Sequence, residues 1–148
     1  MALDPGIVGR QYPPTEPYEV GREKIREFAT AIGADDPAYH DAEAARALGH
    51  ADVIAPPTFP ILMSFRASFA QIVDDPDLGV DYSRVVHGDQ RFAYTRPVQA
   101  GDRLVCRCVV DEATSRGGHD ILTIRTEVAT DLDEPVVTVW SKLVVRGH

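Results

Sequence analysis

An α+β fold, with an antiparallel sheet wrapped around one long central helix, is the architecture this chain predicts. Three observations lead to it. Residues 55–74 form the longest apolar run, and Leu62, Phe65, Phe69, Ile72 and Val73 fall at helical spacing on one face of it. Strand-length segments that alternate with period two follow that run, as expected of an antiparallel sheet with one polar face. The breaks between them carry turn chemistry, at residues 99–102, 117–118 and 131–134. A lone apolar helix followed by a strand meander buries itself best against the inside of a curved sheet.

The central helix comes first because the rest is arranged on it. Ile61, Met63, Ala67 and Ala70 extend its apolar surface and leave Arg66 and Gln71 as its long polar residues. A helix apolar nearly all round is expected to be buried. About fifteen residues span roughly 22 Å, the width of a small domain. That is too short to cross a membrane. Pro56, Pro57 and Pro60 lie at its start, where a missing N–H costs little. Asp75 before Pro76 stops it, because a residue preceding proline is driven out of the helical region.

Upstream, residues 7–14 read as an extended lead-in and Tyr18, Glu19 and Val20 as a short strand. A first helix is predicted over 22–32, with Ile25, Phe28, Ala29 and Ile32 as its core stripe and Gly33 closing it. Residues 33–41 form a dense polar loop holding Asp35, Asp36, His40 and Asp41. Asp41 can cap a second short helix over 42–48, closed by Gly49. Downstream, strands are predicted over 84–94, 102–112, 119–130 and 136–146. In the first of these, His87 and Asp89 are read as sharing one face, opposite Gly88, Gln90 and Phe92.

At 148 residues the chain suffices for one domain with its own core, taken as residues 1–148. A net charge of −8 speaks against a phosphate-backbone binder, so no nucleic-acid partner is expected. Met1 to Pro5 lacks a basic stretch followed by an apolar core, so a cytoplasmic protein is expected, with no membrane partner. Cys106 and Cys108 read as buried small hydrophobes, and no Cys/His spacing suggests a metal site. Arg91, Arg96 and Arg103 cluster near one strand turn, where they read as solvated surface or as contacts to a cofactor phosphate. Trp140 reads as core or interface packing.

Three stretches carry a family resemblance. They are Val53-Ile54-Ala55-Pro56-Pro57-Thr58-Phe59, Val86-His87-Gly88-Asp89-Gln90-Arg91-Phe92, and Arg96-Pro97-Val98-Gln99-Ala100-Gly101-Asp102-Arg103-Leu104. Together they resemble the MaoC-like hot-dog proteins, and within them the N-terminal-type dehydratase domain. That group includes an actinobacterial family and the accessory subunits of mycobacterial (3R)-hydroxyacyl-ACP dehydratase. The resemblance spans roughly residues 8–145. It implies a hot-dog fold and syn hydration of a trans-2-enoyl thioester, or the reverse, with no cofactor. Such chemistry needs a base at the α-carbon, an acid for the hydroxyl and donors for the thioester oxyanion.

Active members of the family supply acid and base from a loop resembling Gly-Asp-x-Asn-Pro-(aliphatic)-His. Aligned on Pro37, this chain has Ala34 in place of the Asp and Tyr39 in place of the His. Shifted by one residue, Asp35 and His40 recover the spacing and are the candidate catalytic pair. Thr58 and Phe59 keep their N–H groups at the proline-rich helix start and are candidate substrate-binding residues, with Phe65, Phe69, His87 and Gly88 lining an acyl tunnel. Three readings follow. The first is an acyl-binding, catalytically incomplete subunit paired with a catalytic hot-dog partner. The second is a self-sufficient (R)-specific enoyl-CoA hydratase using Asp35 and His40, and a thioesterase stands third. An acyl-CoA or acyl-ACP thioester and a homodimer or heterodimer are the expected partners.

Overall fold

The computed structural model describes residues 3–147. The elements run β1 (Tyr18–Glu19), α1 (Arg22–Ala31), α2 (Ala42–Ala47), α3 (Ile61–Asp74), β2 (Val85–Tyr94), β3 (Arg103–Arg116), β4 (His119–Thr130) and β5 (Pro135–Val145). The strands form one antiparallel sheet in the order β1-β3-β4-β5-β2. This is the α+β arrangement the alternation predicts. Asp41 caps α2 by accepting the Glu43 N–H at 3.0 Å, and Gly33 follows α1 at a φ of +71°, which glycine adopts without strain. β3 runs past its predicted end because a bulge between Val110 and Glu112 returns Ala113 to the inner face, opposite Leu122.

The inner face of the sheet is the core. Leu104, Cys106, Cys108 and Val110 of β3, with Leu122, Ile124, Thr126 and Val128 of β4, are all buried. Val137, Val139 and Leu143 of β5 complete that face. α3 runs along the strands upon it. Its Met63 end packs in a cluster with Leu104, Val128 and Val139, and its Ile72 end with Val110, Ile124 and Leu143.

Two expectations are corrected here. The face of α3 on the sheet is Met63, Ser64, Ser68 and Ile72, not the Phe65 stripe. Phe65 is 41% exposed and stacks on Phe69 at 4.7 Å, with Tyr82 edge-on to Phe69 at 5.0 Å. The reason is steric: Ser64 and Ser68 let the middle of the helix approach the sheet closely, and the rings move to the flank. Ser68 uses the space to hydrogen-bond Thr126 Oγ1 at 2.5 Å and Cys108 Sγ at 3.0 Å. Second, His87 and Asp89 lie on opposite faces. A bulge at Gly88 shifts the register between them, so His87 pairs with inward-facing Leu143 and Asp89 with outward-facing Lys142.

The lead-in lies along the outer edge of β3. Gly9 N–H donates to Val110 O at 2.8 Å, Tyr12 N–H to Cys108 O at 3.0 Å and Thr15 N–H to Cys106 O at 3.0 Å. Its side chains clamp the end of α3. Arg10 Nη1 and Tyr12 Oη both donate to Asp75 Oδ2, at 2.9 and 2.8 Å. Burial pushes the Asp75 carboxyl up, but the bonds from Arg10, Tyr12 and the Asp77 N–H outweigh it and hold the group below the usual carboxylate range. A depressed folded-state value gives stability that is present above the unfolded pKa and is lost as pH falls through the folded one. Asp75→Asn is therefore expected to cost about 1 kcal/mol at pH 7. The gap from the parent should narrow progressively as pH falls below the ordinary carboxylate range, read as paired melting temperatures; a gap that widened in acid would contradict this assignment.

Candidate functional site

The polar loop is fixed from three sides. Asp36 caps the turn Pro37–Tyr39 by accepting the Ala38 N–H at 3.0 Å. Ile54 N–H donates to Ala38 O at 3.1 Å, and Arg26 Nε donates to His40 O at 2.8 Å. His40 Nε2 lies 2.8 Å from Ala34 O. A carbonyl can only accept, so Nε2 carries a proton. Asp35 is exposed, and no hydrogen bond joins it to His40 among the described residues. The shifted pair is close in sequence but is not assembled as a dyad.

Tyr39, in the position where the family motif carries its His, is half-buried against the core. Close by, Tyr94 Oη donates to Pro57 O at 2.5 Å. Burial, and to a lesser degree the neighbouring Tyr39, pushes the Tyr94 phenol well above its ordinary value, so it stays a neutral donor. Tyr39, Tyr94 and the Pro57 carbonyl thus lie near one another beside the start of α3.

At the start of α3 the Thr58 N–H has no acceptor among the described residues, whereas the N–H groups that follow it are taken. Phe59 N–H donates back to Pro56 O at 2.9 Å, Ile61 N–H to Thr58 O at 3.1 Å and Leu62 N–H to Phe59 O at 3.1 Å. The Phe59 ring is fully buried and sits edge-on to Phe28 at 5.5 Å, which is core packing. Thr58 is exposed at the surface. These two neighbours therefore face different environments.

The inward face of β2 is a candidate site, and the Phe65–Phe69 flank of α3 reaches the start of that strand through Tyr82. The Gly88 bulge makes Tyr94, Phe92, Gln90 and His87 one inward-facing stripe, opposite Val137, Val139, Ser141 and Leu143. At about 3.3 Å per residue the stripe is roughly 20 Å long. It starts at Tyr94, beside Pro57, with the Phe92 ring 6.5 Å from the Tyr94 ring. It ends where His87 Nε2 meets Gln90 Oε1 at 2.9 Å and Ser141 Oγ meets the same oxygen at 2.9 Å. What escapes a reading based on strict alternation is that His87 joins Gln90 and Ser141 on this face. The signal that could have found it is Gly88, since an isolated glycine within a strand marks a bulge.

The arginines are engaged within the protein, Arg96 most fully. Its guanidinium makes a bidentate pair with Asp102, both bonds at 2.9 Å, and its Nε reaches Glu134 at 2.8 Å. Arg103 pairs with Asp131 at 2.9 Å. Arg91 lies 4.0 Å over the Trp140 ring on the outer face of the sheet.

Residues 6–139 match the family described as FAS1-like, dehydratase domain region. The chain belongs to this family. Among its relatives is a UPF0336 protein of Streptomyces coelicolor, 62% identical over 147 residues, covering 99% of this chain and 97% of the relative. Among solved structures, a chain of the C-terminally truncated HadBC (3R-hydroxyacyl-ACP dehydratase) complex of Mycobacterium tuberculosis superposes with a TM-score of 0.84. The two are 34% identical, and the match covers 97% of this chain and 99% of that one. A MaoC-like dehydratase superposes at 0.81 with 32% identity, covering 95% of this chain and 42% of the other. The architecture is therefore the MaoC-like hot-dog fold, of hydratase and dehydratase type. No helix among the described residues is long and apolar enough to cross a membrane.

Proposed function

We propose that this chain is the acyl-holding, catalytically incomplete subunit of a (3R)-hydroxyacyl thioester dehydratase or enoyl hydratase. It takes a coenzyme A or acyl-carrier-protein thioester, and works in the cytoplasm with a hot-dog partner that supplies the acid and base. The carrying observation is the loop at 33–41. Ala34 and Tyr39 occupy the two catalytic positions of the family motif, the His40 ring is tied to Ala34 O, and Asp35 faces solvent. Syn hydration moves one proton at the α-carbon and one at the hydroxyl. Without a carboxylate and an imidazole facing a common point, neither transfer has its group. The flank of Phe65 and Phe69 beside the stripe from Tyr94 to His87 supports the acyl-holding half of the reading. The similarity to a chain of a dehydratase complex supports a paired assembly.

The test is hydration of crotonyl-CoA and of a longer trans-2-enoyl-CoA by the purified chain alone, with His40→Ala alongside. The chain alone is expected to turn over at least about a hundredfold more slowly than when mixed with a catalytic hot-dog subunit, the size of a missing acid or base. It should nevertheless bind a saturated acyl thioester. Full turnover by the chain alone, lost in His40→Ala, would instead make this a self-sufficient hydratase using Asp35 and His40.

A further inference from the structure

We propose that the side-chain amide of Gln90 is a hydrogen-bond donor to the carbonyl oxygen of an acyl thioester lying between α3 and β2. The proposal rests on the acyl-holding reading above and names the group that would hold the thioester end. Gln90 Oε1 accepts from both His87 Nε2 and Ser141 Oγ, which uses its acceptor sites and fixes the plane of the amide. The Nε2 end then points into the protein, buried, with no acceptor among the described residues. A buried amide N–H without a partner is rare and costs free energy, which an incoming acceptor returns.

The bulge is what makes the arrangement. Without the extra residue at Gly88, His87 and Gln90 would face opposite sides of the sheet and could not meet. Gly88 is also crowded: an added Cβ would lie 3.2 Å from Val144 Cγ2. Side-chain loss there preserves the bulge, and the bulge preserves the bond.

The chemistry selects a neutral acceptor. The chain carries a net charge of −8, and Asp89 stands next in sequence with its carboxylate on the Gln90 N–H. The neighbouring cation, Arg91, is on the opposite face over Trp140. A carboxylate or phosphate would bring a second negative charge close to Asp89, whereas a thioester carbonyl carries no charge. Phe69 and Val85 both pack on the cluster containing Leu143, the residue opposite His87, so the amide borders an apolar flank suited to an acyl chain. β2 has no strand on its outer side among the described residues, so a carbonyl at Gln90 lies beside the edge at which a second subunit would dock.

The experiment compares decanoyl-pantetheine with its thioether analogue, in which CH2 replaces the carbonyl, by calorimetric titration of the full chain. The parent is expected to bind the thioester about fivefold to tenfold more tightly, the range of one hydrogen bond. Gln90→Leu, of similar size, should bind both ligands alike, at the affinity the parent shows for the thioether. Ser141→Ala, which loosens the amide, should lower the ratio about twofold. Equal binding of the two ligands by the parent overturns the proposal, as does a Gln90→Leu variant that keeps the ratio while weakening both. If the parent binds neither ligand, the acyl-holding reading itself falls, and this donor falls with it.

Discussion

Phe59→Ala is expected to destabilise the protein by about 4 kcal/mol, lowering the melting temperature by roughly 10 °C. The ring is fully buried, edge-on to Phe28, in the cluster that also holds Ile25, Val53 and Val98. Truncation removes its apolar transfer energy and leaves a cavity that the α1 and β-sheet walls cannot close. Phe59→Leu keeps most of the volume, so it should cost under about 2 kcal/mol and leave acyl binding unchanged. Thermal melts paired with acyl titration separate the two roles. If Phe59→Ala melted like the parent yet bound no acyl ligand, the ring would be a ligand contact and its core assignment would be wrong.

Asp102→Ala is expected to cost about 3 kcal/mol, because it breaks a largely buried ion pair from one side. The Asp102 side chain is 7% exposed and Arg96 is 23% exposed. Beyond the bidentate pair, Asp102 Oδ2 accepts the Gln99 N–H at 2.9 Å, and so holds the turn that leads into β3. Removing it leaves Arg96 with Glu134 as its one carboxylate partner and strands the Gln99 amide. Replacing Arg96 with Met in the same chain should recover part of the loss, since the under-compensated charge is then gone. A double variant no more stable than Asp102→Ala alone would show that the turn, not the charge pair, carries the effect.

Much of this fold is legible in the chain. The alternation of β4 and β5 names the buried residues of each, because both strands are regular at their centres and lie between neighbours. α1 and α2 end at Gly33 and Gly49, whose positive φ angles suit the glycines found there. What period alone could not give is any position where one residue resets the count. Gly88 does so in β2 and Asp111 does so in β3, each at a bulge. The buried face of α3 was hidden for a different reason. Hydrophobicity points to Phe65, but contact distance favours Ser64 and Ser68, and at close range volume decides. For the candidate site, the motif resemblance supplies the reading of Ala34 and Tyr39 as vacant catalytic positions. That His87 shares a face with Gln90 and Ser141 becomes visible only once the register of β2 against β5 is known.

The two rims of the sheet are not equivalent, and that asymmetry bears on how copies can add to one another. On the β3 side the rim is occupied by the protein's own chain, through β1 and through the backbone bonds of Gly9, Tyr12 and Thr15. On the β2 side no strand covers it among the described residues. A molecule with two open rims can extend without limit, as fibres do. With the other rim already paired to the lead-in, β2 is the rim left for strand addition by a second copy. The lead-in, which looks like a mere connector, thus biases any edge-to-edge pairing toward the β2 side.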